Sequence, residues 1–407
     1  MQASAKNLLQ LARYPGSLVF LGVYIAISLT NLSPVIVFIP LALSGLCLLI
    51  GPVSSPQSKS SFQTPVVFSA ITLFLLSFIA SVIFSNDFLK SINAIAVLFP
   101  GLLIAYILTR FRLNNVYVLS WCFVPAVAIC SGVIILMFLQ SSYADPGQVF
   151  RREGNSALVV PNDVLAGVIF APVVAFASMH SRHPILNLLA ACSLATLAIA
   201  VYLTESRVSA LTIIFMILLY FFLRSRNRFL IHSLITLVML CAFDLLFDLG
   251  LMHNFYLIRE ENERIGVWLA GLAHWSDHPI LGFGPSNFEI AYEIGLQDLS
   301  LPDWAVIEPR RVPWAHNLYL EALVERGLLG LITLLLLLGV IFIRMLKHAS
   351  SAEKCYADFY LFIFIAFCGF VFAGLFEPTI QRIWVANSLF VFLGLACIPY
   401  DMRGKVA

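Results

Sequence analysis

Apolar runs of about 20 residues, long enough for a helix to cross a bilayer, follow one another along most of this chain with short polar connectors between them. The pattern predicts twelve spans, at 15–31, 34–51, 64–84, 89–108, 116–139, 158–178, 184–203, 207–223, 229–248, 326–345, 357–376 and 381–399. Only Asn31-Leu32-Ser33-Pro34 separates the first two, so a single re-entrant hairpin is the alternative there. The runs are continuous rather than alternating. That excludes the strands of a transmembrane barrel and leaves helices, which satisfy their own backbone in lipid. One stretch breaks the rhythm. It begins ERIGVWLAGLAHWSDHPILGFGPSNFE at Glu263 and, after an acidic spacer, ends RRVPWAHNLYLEALVERGLLG at Gly330. The expected fold is an all-α polytopic membrane protein with one large non-cytoplasmic loop containing short helices. Its parts are transmembrane helices 1–9 over residues 1–248, the loop and the start of helix 10 over 249–325, and helices 10–12 over 326–407.

Composition agrees with this class: 60% of residues are apolar and 11% charged, where a soluble domain carries about a quarter charged. Charge adds an orientation. The short loops on one side take most of the 24 basic residues, Arg224, Arg226, Arg228, Arg344 and Lys347 among them. The other side takes most of the 22 acidic ones. Positive charge marks the cytoplasmic side, which places both termini inside and the 249–314 loop outside. The basic residues are thus topological markers, and the net charge of +2 implies no nucleic-acid partner. The first span lacks a small-residue cleavage site and serves as its own anchor. None of the eight cysteines falls in the 249–314 loop, so they read as packing residues rather than a disulfide framework.

Ionisable residues beside membrane spans are costly, and each asks for a reason. Arg207, in Thr204-Glu205-Ser206-Arg207, stands at an outer span end. It snorkels as an end-anchor, pairs with Glu205, or offers a cation to an anionic headgroup at the outer leaflet. Asn162 and Asp163 open the sixth span on the same side, where Asp163 has the chemistry of a helix cap. Arg264 and Trp268, four apart, share a helix face. That helix stops at Pro279, in His278-Pro279-Ile280-Leu281-Gly282-Phe283-Gly284. There Gly282 and Gly284 permit either a plain turn or one whose free N–H groups meet phosphate. His274 and His278 have the spacing of a metal pair but no third ligand, so no metal site is expected. His316 begins a helix running into the tenth span, with His316, Leu320, Leu323 and Gly327 on one face and Asn317, Glu321 and Glu325 on the next. A histidine at the membrane surface can act as a neutral base near pH 7. Arg310 and Arg311 line an acceptor's path or pair with nearby acids.

An outward-facing transferase has no nucleotide sugar and needs a donor activated on a lipid, such as a polyprenyl diphosphate. Guanidinium forks suit that leaving group and stabilise its developing charge. A histidine takes the proton of the acceptor hydroxyl.

The pattern Arg264…Trp268…His278-Pro279-x-Leu281-Gly282-x-Gly284-x-x-Asn287-Phe288…His316-Asn317-x-Tyr319-Leu320-x-x-x-x-Glu325-x-Gly327-x-x-Gly330 resembles the O-antigen ligase and O-antigen polymerase superfamily. Ser206-Arg207 and Pro161-Asn162 resemble it too. The resemblance implies a glycosyltransferase of the bacterial inner membrane, with its active site facing the periplasm and undecaprenyl-diphosphate-linked glycan as donor. It implies His316 as general base, with Arg207 and Arg264 on the diphosphate. Asn162, Asn317, Gly282, Gly284, Arg310 and Arg311 are further substrate-binding candidates. Inversion at the anomeric carbon is expected, with no cofactor and no metal. One large loop favours a ligase with a lipid A–core acceptor, and the alternative is a polymerase joining lipid-linked repeat units. The competing class, a lipid flippase or transporter, calls for paired repeats and broken spans near the midplane.

Overall fold

The computed structural model describes residues 65–109, 116–140, 163–181, 184–204, 206–224, 263–273, 275–298, 314–351, 354–377 and 379–398, with Tyr24, Ile231 and Val312. Apart from Tyr24 and Ile231, the predicted spans at 15–31, 34–51 and 229–248 lie outside the described residues. Every regular element among the described residues is helical. In chain order they are α1 (Pro65–Ile83), α2 (Phe88–Leu108), α3 (Val116–Gln140), α4 (Val164–His180), α5 (Pro184–Thr204) and α6 (Arg207–Arg224). Then come α7 (Glu263–Ala273), α8 (Phe288–Asp298), α9 (Leu318–Ser351), α10 (Lys354–Ala373) and α11 (Ile383–Ala396). Six of these, α1, α2, α5, α6, α9 and α10, are long and apolar enough to cross a membrane, and α4 and α11 are shorter apolar helices. The chain is an all-α polytopic membrane protein.

Helices that are apolar all round belong inside a bundle. That is where α4 and α11 sit: α11 is buried from Trp384 to Ala396, and α4 along nearly its whole length. The outer helices present an apolar band instead, Val66, Phe68, Leu73 and Leu76 on α1 and Ile185, Leu188 and Leu189 on α5. Such a band is the surface a lipid phase would cover.

Register puts the polar chemistry at one end. His180, closing α4, and Arg224, closing α6, both reach Asp358 near the start of α10, at 3.8 and 2.9 Å. Phe215 of α6 stacks on Phe372 near the other end of α10, with ring centroids 4.5 Å apart. The starts of α4 and α6, carrying Asp163 and Arg207, therefore lie at the end where α10 turns into α11.

A break in α9 shapes that end. Gly327 takes φ 65° and ψ −170°, splitting α9 into a short polar helix and a long apolar one. A break strands backbone groups that must find partners. They find them in the 278–284 turn: Phe283 and Gly284 N–H donate to the Val324 and Glu325 carbonyls, at 3.0 and 2.8 Å. In return Leu328 and Leu329 N–H donate to the Pro279 and Ile280 carbonyls, at 2.8 and 3.2 Å. Gly282, also at positive φ, lies against the Glu325 backbone, and a Cβ at either Gly282 or Gly327 would collide with main chain.

Candidate active site

Two α7 side chains one turn apart grip two different loops, the one ahead of α9 and the one after α10. Trp268 donates its indole N–H to the Ala315 carbonyl (2.8 Å). Arg264 donates to the Phe376 carbonyl (2.6 Å) and to Glu377 Oε2 (2.8 Å). The shared helix face read from their spacing is thus turned toward both connecting segments of the site.

His316 itself precedes the helix. Its φ of 51° is left-handed, a conformation histidine tolerates better than most side chains. Asn317 follows as the cap: its Oδ1 accepts from Tyr319 and Leu320 N–H, each at 3.0 Å. Its amide group donates to the Leu375 carbonyl (3.0 Å), and Leu318 N–H donates to the Gly374 carbonyl (2.8 Å). This corrects the expected helical face of His316, Leu320, Leu323 and Gly327. The helix starts at Leu318, because Asn317 caps it, and breaks at Gly327.

These contacts bring His316 Nδ1 to 3.1 Å from Glu377 Oε1. Glu377 is buried (2% exposed), whereas His316 and Arg264 are 29% and 38% exposed. Burial opposes the charge on Glu377. The His316 hydrogen bond and the charges of Arg264 and Arg382 outweigh it and hold the carboxyl below its usual range. A carboxylate on Nδ1 fixes the tautomer that leaves Nε2 as the proton acceptor, and Nε2 has no hydrogen-bond partner among the described residues.

Arg382, before α11, pairs with Asp163 (3.0 Å) and lies over the Trp314 ring, 5.1 Å from its centroid. Trp314 in turn stands edge-on to His316. Asp163 corrects its expected capping role. Its carboxylate makes no cap hydrogen bond and instead accepts from Arg382 and from the Trp384 indole N–H (2.8 Å). Beneath this layer, Thr379 hydrogen-bonds Glu321, and the Gln381 amide donates to both Glu325 oxygens at 2.7 and 2.8 Å.

The structure thus brings together Arg264, His316 and Asn317, with Trp268 behind them. Arg207 is exposed at the same end of the bundle, following Ser206, whose hydroxyl accepts from Ser209 N–H at 3.4 Å. The free N–H groups expected at Gly282 and Gly284 are committed, to the His278 and Glu325 carbonyls, which makes that turn a brace for the α9 break. His278 is exposed, with its ring 4.7 Å from that of Phe283. Asn162, Arg310, Arg311, Glu205 and His274 lie outside the described residues. Sequence reasoning missed Glu377 and Arg382. The available signal was topological: the short 377–380 connector falls on the same predicted side as His316, with an acid between two apolar runs.

Residues 190–335 match the family model described as O-antigen ligase. That segment belongs to the O-antigen ligase superfamily. The match takes in Arg207, Arg264, the 278–284 turn, His316 and the α9 break, and ends before Glu377 and Arg382. No curated protein compared with the chain matches it. The described helices make the chain a multi-pass membrane protein, and its 190–335 segment is similar to the O-antigen ligase family, whose chemistry is glycosyl transfer.

Proposed function

We propose that this enzyme transfers O-antigen glycan from undecaprenyl diphosphate to a hydroxyl of lipid A–core, at the periplasmic face of the inner membrane. The observation that carries the reading is the His316–Glu377–Arg264 arrangement, a partly exposed imidazole backed by a buried carboxylate that also holds an arginine. His316 Nε2 takes the acceptor's hydroxyl proton as its oxygen bonds to the anomeric carbon. The bond from that carbon to the diphosphate oxygen breaks, and the electron pair leaves with undecaprenyl diphosphate. Attack by the alcohol opposite the leaving group inverts the anomeric centre. Arg264 and Arg207 hold the diphosphate and stabilise the charge it gains. Asn317 keeps His316 in place from the helix start. Guanidinium groups supply the positive charge in this scheme, so turnover is expected to survive EDTA.

The test is a reconstituted assay with undecaprenyl-diphosphate glycan, lipid A–core and the purified chain, run beside His316→Ala. A well-placed general base contributes about 10²–10⁴ in rate, and the variant should lose that much while remaining folded. Normal turnover by His316→Ala would remove the base assignment. Longer lipid-linked glycan, with lipid A–core ignored, would make the enzyme a polymerase. Activity lost to EDTA and restored by a divalent ion would replace the arginine scheme with a metal-assisted one.

A further inference from the structure

Glu377 meets its two neighbours through different oxygens, His316 through Oε1 and Arg264 through Oε2. The arginine is therefore held by an internal carboxylate at the atoms a diphosphate would need. We infer that Glu377 is a stand-in for the donor's diphosphate: the incoming anion displaces it from Arg264, and the freed carboxylate charge is then directed at His316. This deepens the function proposed above and rests on it. Glu377 acts through His316 and Arg264 and is a positioning residue.

Three observations support an exchange rather than a fixed structural pair. Arg264 is the exposed member, at 38%, while Glu377 is buried, so the arginine is the partner an outside anion can reach. Arg382, the other cation acting on Glu377, is tied to Asp163 and laid over Trp314, and it stays when Arg264 turns away. The His316 loop is held independently of the ion pair, by Trp268 on Ala315 and by Asn317 on Leu375. Losing Arg264 therefore leaves His316 facing Glu377. The physical consequence is a coupling. A carboxylate relieved of one cation pulls harder on the Nδ1 proton, which makes Nε2 a better base. The base is then strongest when donor is bound.

The test separates binding from turnover. Inorganic pyrophosphate, and in parallel undecaprenyl diphosphate, is titrated calorimetrically into the full-length chain in detergent, as wild type, Glu377→Gln, Glu377→Asp and Arg264→Ala. Removing the competing carboxylate should tighten pyrophosphate binding about fivefold in Glu377→Gln, the scale of one partly exposed ion pair. Glu377→Asp, whose carboxylate is drawn back by one methylene, should tighten it less. It also carries the comparison if the glutamine variant does not fold. Turnover with lipid-linked donor should fall about a hundredfold in Glu377→Gln, because His316 loses the partner that fixes its tautomer. A pair with only a structural role predicts equal or weaker pyrophosphate binding in both Glu377 variants, and that result overturns the exchange. Arg264→Ala separates the two proposals. If it binds pyrophosphate as the wild type does, the donor role of Arg264 fails as well. If it binds weakly while the Glu377 variants match wild type, only the exchange fails.

Discussion

Replacing Gly327 by alanine tests whether the α9 break is built into the chain. Gly327 has φ 65° and ψ −170°, a region that costs a residue with a Cβ about 1–3 kcal/mol. The added methyl would also meet the Ile280 carbonyl and Leu281 N–H. That contact lies in the middle of the four backbone hydrogen bonds joining 279–284 to 324–329. Each contributes about 1 kcal/mol net, and pushing the two segments apart should lose about two of them. The expected total is about 3–5 kcal/mol. At about 2 °C per kcal/mol for a protein of this size, the midpoint should fall by roughly 6–10 °C. Tryptophan fluorescence during a thermal scan in detergent reads this directly, since Trp268 and Trp275 border the brace. Gly339→Ala is the internal control. It lies further along α9 with nothing within 4 Å of the new methyl. There alanine should stabilise the helix by roughly 0.5–1 kcal/mol. Opposite signs at the two glycines are expected, and a Gly327→Ala midpoint equal to that of the wild type would refute the account of the break.

Two further outcomes follow from the charges around the site. Arg382→Ala removes the partner of a buried carboxylate together with the Trp314 contact, and should cost about 2–4 kcal/mol in the same scan. Arg382→Lys should recover less than half of that, because an ammonium lacks the planar fork; full recovery would show that only the charge matters. Glu377 sets a pH dependence. Its folded-state carboxyl is held below the ordinary range, so its stabilising contribution is complete above that range and is lost as pH falls through the folded value. The stability gap between wild type and Glu377→Gln should therefore be flat near neutrality and close only in acid; a gap that closes as pH rises would contradict the sign.

Helix positions were legible because hydrophobic length is local information. The predicted spans 64–84, 89–108, 184–203 and 207–223 correspond to Pro65–Ile83, Phe88–Leu108, Pro184–Thr204 and Arg207–Arg224. Arg264 and His316 were legible for a related reason, since costly residues in a greasy chain draw attention. Their common partner was not. Glu377 lies 61 residues beyond His316 in a connector that looks too short for chemistry, and only packing of α10 against α9 brings it back. The α9 break was hidden differently. The run LYLEALVERGLLG keeps a helical period through Gly327, and what stops the helix is the 278–284 turn offering partners to the stranded backbone. No periodicity in α9 alone encodes that offer. The same bonds took the glycine N–H groups that sequence reasoning had left open for phosphate.

The buried polar groups of the first α9 turns have a reason beyond stability. Glu321, Glu325 and Arg326 are each about 1% exposed, and apolar residues of similar size would pack there without the cost of burying charge. Apolar contact, however, is non-directional and fixes no register. Here register is what the chemistry needs, because Glu377 rides on the same 374–382 connection as Thr379 and Gln381. Glu321 takes Thr379 and Glu325 takes Gln381, while Glu325 also accepts Phe288 N–H at the start of α8 (3.1 Å). Each bond has one geometry, so together they set where the connection sits along α9. Arg326 extends back from the same turns to the Phe74 and Phe78 rings of α1, at 5.5 and 5.4 Å, where the aromatic faces accept its charge. The two carboxylates thus tie the 374–382 connection and the start of α8, and Arg326 ties α1, to the helix whose cap holds His316. A histidine and a glutamate on different segments can keep a 3.1 Å contact only if their supports cannot slide, and directional bonds beneath them are the means of preventing it.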